Sequence, residues 1–127
     1  MNQDIPLEGT KLANFTPVDA VPELQIIDVS EGTGEAVPEG ATITAHYTGA
    51  LAKDGTIFQS SKDFGGPITF GLNQVIAGWT EGVPGMKVGG TRRLVIPAAQ
   101  AYGAQSPAPN IPANSNLVFD IELAAIA

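Results

Sequence analysis

The chain has 127 residues, a formal net charge of −7, one His and no Cys. That length holds one domain, and a hydrophobic fraction of 43% is enough for a core. The acidic balance, with no Lys/Arg cluster, excludes nucleic-acid binding, and the missing Cys excludes disulfides, thiol catalysis and Cys-ligated zinc.

Residues 1–21 are broken by Pro6 and Pro17 and show no periodicity. They read as an N-terminal tail, either a linker or an arm lying on the domain, which then runs over 22–127. Asn14-Phe15-Thr16 matches a glycosylation triplet of a kind that arises often by chance. No apolar run is long enough for a membrane-spanning helix, and no signal-peptide pattern stands at the start.

Leu24–Ser30 is rich in strand formers and ends at the turn Glu31-Gly32-Thr33-Gly34. Strict alternation follows. Ala41, Ile43, Ala45 and Tyr47 share one face and Thr42, Thr44, His46 and Thr48 the other, as in a half-buried strand. Lys53-Asp54-Gly55 is a hairpin signal before a short strand over Thr56–Gln59, and Ile68–Phe70 resumes after Gly65-Gly66-Pro67. Val75, Ile76, Trp79 and Val83 fall on one helical face, so Val75–Val83 is the helix candidate, with Asn73 or Gln74 as its cap. Gly78 and Gly82 each cost about 1 kcal/mol relative to Ala, so this helix has to be packed under a sheet. Gly90–Ile96 is a strand closed by Pro97, and Ala98–Tyr102 is a helical turn. Gly103–Asn116 is a long loop with three prolines, a length that usually carries function. Leu117–Leu123 ends the pattern as a strand. The elements predict an α+β fold, an antiparallel β-sheet curled around one short α-helix.

Charged chemistry has little to work with. No phosphate-binding glycine loop is present. His46 stands alone on the polar face of its strand, which suits a hydrogen-bonded strand residue better than a metal ligand or a base. Ser60-Ser61 reads as strand-end and turn chemistry. Asp120 and Glu122 share the outward face of the last strand. The aromatics Tyr47, Phe58, Phe70, Trp79, Tyr102 and Phe119 are the main chemical resource, and taken singly most of them are simply core.

Taken in order, the segments resemble the FKBP-type peptidyl-prolyl cis–trans isomerases over about Leu24–Leu123. The motifs are H-Y-T-G at His46–Gly49, D-G-x-x-F at Asp54–Phe58, V-I-x-G-W at Val75–Trp79 and E-G-V at Glu81–Val83. They continue with M-K-V-G-G at Met86–Gly90, R-R-L-x-I-P at Arg92–Pro97, A-Y-G-A at Ala101–Ala104 and a final L-V-F-D-I-E-L. The resemblance implies a prolyl pocket floored by Trp79 and walled by Tyr47, Phe58, Phe70, Val75, Ile76, Ile111 and Phe119. It implies a hydroxyl from Tyr102 and a backbone N–H from Ile76 as donors to substrate carbonyls. Gln59 stands where the family usually carries Asp, Phe64 near the position of its basic partner, Ile68 at a second wall aromatic, and Pro107 where some members carry His.

The implied activity is isomerisation of X-Pro bonds by binding the twisted amide, with no cofactor and no metal. Implied partners are proline-containing polypeptides, with macrolides such as tacrolimus or rapamycin as possible ligands, and a monomer is expected. Two other readings stand beside it: a weakly active proline-binding module or chaperone, and a structural adhesion-type β-domain. The compartment is open, cytoplasmic or exported and tethered through the tail.

Overall fold

A computed structural model describes residues 7–126, without the side chain of Phe64. Six strands form one antiparallel sheet: β1 (Gln25–Ser30), β2 (Thr42–Leu51), β3 (Ile57–Ser60), β4 (Ile68–Gly71), β5 (Thr91–Ile96) and β6 (Leu117–Ile126). The spatial order is β1-β5-β6-β2-β3, and β4 pairs with the other half of the β2 edge that β3 uses. The Asp-Gly hairpin forms as expected. Asp54 accepts a hydrogen bond from the Thr56 N–H at 2.9 Å and Gly55 takes a positive φ of 76°.

The one α-helix, α1, covers Ala77–Gly82, shorter at both ends than Val75–Val83. Its N-cap is Ile76, with no side-chain cap, so neither Asn73 nor Gln74 fills that role. Ile76 takes an extended backbone, with φ −60° and ψ 151°. The helix lies against the inner face of β5. A Cβ on Gly78 would stand 2.6 Å from Ile96, and one on Gly82 2.7 Å from Leu94. These two glycines therefore trade helix propensity for contact with the sheet. Around them the main core gathers Ile43, Leu72, Trp79, Val83, Leu94, Ile96, Leu117 and Ile121.

Arg92 and Arg93 split across the two faces of β5, as their adjacency in a strand requires. Arg92 is buried. Its Nη1 donates to the carbonyls of Gly82 and Pro84 at 2.8 and 3.2 Å, and its Nε to Asp28 at 2.7 Å. It thereby satisfies carbonyls left open at the helix C-terminus. Arg93 faces outward and pairs with Asp120 at 2.6 Å.

The outer face differs from the simple alternation. Past Tyr47, Thr48 and Ala50 are buried although they point away from the main core. A second cluster of Leu12, Val21, Ala50, Ala52, Ile57, Val95 and Val118 covers them. Its lid is the N-terminal arm, whose described part lies on the domain. The Gly9 N–H donates to the Ile57 carbonyl at 2.7 Å, the Ile57 N–H to Thr10 at 2.8 Å and the Leu12 N–H to Gly55 at 2.8 Å. The arm thus pairs the free edge of β3, a site that otherwise invites association. Arg93 fastens it further on, donating to the carbonyls of Asn14 and Ala13 and lying 5.6 Å over the Phe15 ring. Among the described residues no helix is long and apolar enough to cross a membrane.

Gly78→Ala and Gly82→Ala are each expected to destabilise the fold by about 1–3 kcal/mol, because overpacking against Ile96 and Leu94 outweighs the gain in helix propensity. Urea unfolding measures this. Stabilisation by about 1 kcal/mol, the propensity gain alone, would show that the sheet yields to the added methyl.

Candidate active site

Trp79 leaves α1 from between the two contact glycines and is 4% exposed. Three aromatic rings meet it and a fourth, Phe58, backs them. Phe70 from β4 lies 5.0 Å away, Phe119 from β6 5.4 Å and Tyr47 from β2 5.7 Å between centroids, all edge-to-face. Phe58 from β3 meets Phe119 at 5.7 Å and 86°. Gly49 makes room for that pair, since a Cβ there would stand 2.6 Å from both rings. Such edge-to-face pairs contribute roughly 0.5–1.5 kcal/mol each beyond area burial and fix ring orientation.

The rings border a cavity of about 480 Å³, lined by Tyr47, Phe58, Gln59, Phe70, Gln74, Val75, Ile76, Trp79, Tyr102 and Phe119. Nine of the ten residues expected from the sequence are therefore brought together. The tenth, Ile111, is buried in the main core and does not line this cavity. Gln74 lines it, although the sequence suggested only a helix cap. Val75 and Ile76 precede the helix rather than belonging to it, and this puts them at the cavity. Tyr102 is 38% exposed at the rim.

Polar groups are few. The Tyr47 hydroxyl donates to Gln59 Oε1 at 2.6 Å, so a neutral amide holds the phenol in place. The side chain of Phe64, the expected departure beside it, lies outside the described residues. The Trp79 indole N–H is buried without a hydrogen-bond partner among the described residues. Among the described residues the lining holds no carboxylate, His, Lys or Arg. His46 instead lies 3.0 Å from Ser61 Oγ, and Ser61, fully buried, accepts the Tyr47 backbone N–H at 2.8 Å. Asp120 and Glu122 are ion-paired, with Arg93 and Lys62, and so form no acid/base couple.

Comparison with known proteins places this geometry. The sequence model of the family described as FKBP-type peptidyl-prolyl cis-trans isomerase matches residues 33–124. The FK506-binding protein of Neisseria meningitidis serogroup A is 48% identical over 102 residues, 79% of this chain and 93% of that protein. The peptidyl-prolyl cis-trans isomerase FPR2 of Saccharomyces cerevisiae is 46% identical over 99 residues, 76% of this chain and 73% of that protein. The crystal structure of FkpA from Escherichia coli superposes with a TM-score of 0.73 at 44% identity, covering 81% of this chain and 47% of that one.

Burial, with a smaller contribution from the neighbouring Tyr102, pushes the Tyr47 phenol above its ordinary value of 10.0. The folded state thus favours the protonated phenol. Its contribution to stability is fully present below the unfolded value and is lost as pH rises through the folded one. In a Tyr102→Phe variant, tyrosinate absorbance is expected to appear with a midpoint above that of a free tyrosine amide. A midpoint at or below that reference would place Tyr47 in water rather than beside Gln59.

Proposed function

The chain belongs to the FKBP-type peptidyl-prolyl cis–trans isomerases, and from that premise we propose that the cavity over Trp79 is where it turns X-Pro bonds. The observation that carries this reading is a cage of five rings, four buried and Phe70 half-buried, whose lining has, among the described residues, no group that is charged at neutral pH. Isomerisation breaks no covalent bond and moves no proton, so it needs none.

The physics suits such a cavity. Amide resonance sets a barrier of ~18–20 kcal/mol, and uncatalysed exchange takes roughly tens to hundreds of seconds. A turnover of about 10–1,000 per second needs roughly 4–7 kcal/mol less. Twisting the amide removes its resonance and with it part of its charge separation. Water stabilises the planar, more polar form better, so transfer into an apolar cavity favours the twisted form in relative terms. In this reading Trp79 floors the prolyl ring, and Tyr47, Phe58, Phe70, Val75 and Phe119 wall it. Tyr102 at the rim and the Ile76 N–H ahead of the helix donate to flanking carbonyls. Ile111 supports the wall from the core. The isomerase domain is taken as 22–127, with the arm laid against it, and its partners are proline-containing polypeptides and macrolides such as tacrolimus or rapamycin.

The Tyr47–Gln59 hydrogen bond favours turnover over a binding-only module, because the phenol is oriented without the acidic residue usual in the family. A protease-coupled assay on X-Pro peptides, with and without rapamycin, tests this. Activity abolished by the macrolide, together with a change in Trp79 fluorescence on binding, is expected. Binding without turnover would leave only the proline-binding module, and unaltered emission at saturation would remove Trp79 from the site.

Gln59→Leu keeps the volume and deletes the acceptor. It is expected to lower kcat/KM by about fivefold, the worth of one hydrogen bond of ~1 kcal/mol. An unchanged value would show that Tyr47 needs no partner.

A further inference from the structure

The arm segment Leu7–Leu12 precedes the span that matches the family, yet it meets both borders of the pocket wall. The Asp63 carboxylate accepts the backbone N–H groups of Leu7 and Glu8 at 2.9 and 3.1 Å. Asp63 sits in the 3-10 turn Ser61–Phe64, which leaves β3 just after Gln59 and Ser60. On the other border, Asn110 Nδ2 donates to the Phe58 carbonyl at 2.9 Å and to Glu8 Oε2 at 3.3 Å. Between these points the arm exchanges backbone hydrogen bonds with Ile57. The short strand that carries Phe58 and Gln59 is therefore gripped before, at and beyond the two residues that face the cavity.

The proline-rich loop has no sheet partner. It closes on itself through Asn114 N–H to the Gly103 carbonyl and Ser106 Oγ to the Ile111 carbonyl. Among the described residues, Asn110 supplies its one recorded hydrogen bond to β3. Ile111 anchors this loop in the core, so its contact with β3 on the pocket side is left to Asn110, and a wall displaced by an ångström loses much of its benefit to a bound transition state.

We propose that Asp63 and Asn110 are positioning residues for the isomerase: Asp63 through the arm, and Asn110 directly, hold Phe58 and Gln59 against the proline-rich loop and so set substrate affinity. The proposal rests on the isomerase reading above. Neither residue touches the prolyl ring in that reading. Both side chains are exposed, so truncating them removes the clamp without opening the core.

The test compares kcat, KM and thermal midpoint for the full chain, Asp63→Ala, Asn110→Ala and the double variant, with Val29→Ser on exposed β1 as control. Each single change is expected to raise KM roughly threefold to tenfold, the effect of losing one or two modest hydrogen bonds. The midpoint should fall by no more than about 5 °C, the worth of about 1 kcal/mol in a domain of this size, and the double variant should fall short of the product of the singles, because both act on one strand. Val29→Ser should leave kcat and KM unchanged. If the full chain is active while both single variants match it, or lose activity only in step with their midpoints, the proposal is overturned. A matching KM rise in Val29→Ser overturns it as well. A full chain inactive on every X-Pro peptide removes the isomerase reading and the proposal with it.

Discussion

The structure depends on how closely α1 can lie on β5. Side chains at positions 78 and 82 would stand between helix and sheet, and glycine at both lets the helix backbone rest on Ile96 and Leu94. A six-residue helix is too short to persist by itself in water. It persists because its glycine side is covered by the sheet, its end carbonyls are taken by Arg92 and its Thr80 hydroxyl donates to the Leu72 carbonyl at 2.6 Å. Trp79 sits between those glycines. Lift the helix by one methyl and the floor of the cavity rises with it, against four rings whose tilts are fixed by one another.

The same sheet is used on both faces. The inner face carries the helix and the aromatic cage. The outer face carries the arm, which buries Val95 and Val118 and pairs the β3 edge. Arg92 and Arg93 show the division most directly, since neighbours in sequence close a helix terminus on one side and fasten the arm on the other. A β-strand that reports to two layers transmits displacement between them, and β3, only four residues long, has little pairing of its own to resist it. The arm is thus part of what makes β3 a wall.

What the sequence revealed follows from the length scale of each signal. Strand alternation in β2 and β6 and the Asp54-Gly55 turn are local rules, and they were legible. The helix bounds were not, because Val75 and Ile76 are apolar at helical spacing for a different reason: they face the cavity from the bend and extended residue that lead into the helix. Periodicity cannot separate a residue buried in a core from one lining an apolar site. The second core was hidden for a similar reason. Its sheet side mixes the alanines Ala50 and Ala52 with Ile57, Val95 and Val118 from three different segments, and its lid of Leu12, Phe15 and Val21 is spaced without a period. Ile111 and Gln74 exchanged roles because loop residues have no pattern that gives their direction. The aromatic cage was readable only as an ordered set of motifs, since each ring singly looks like core.

A neutral site inside an acidic protein is the last constraint. The four ion pairs recorded among the described residues join Lys62, Lys87, Arg92 and Arg93 to carboxylates, and none of these residues lines the cavity. A carboxylate at position 59 would leave a charge at the margin of an apolar cavity with no cation in its lining, and such a charge has to be hydrated or paired. Gln59 avoids that need. It accepts a hydrogen bond from the Tyr47 hydroxyl at 2.6 Å and carries no charge. The amide gives up the field of an anion and places no charge at the cavity's border. For a reaction favoured by desolvation of a twisting amide, the aromatic lining acts on the rotating bond itself, whereas the field of an anion at position 59 would act on one phenol at the border.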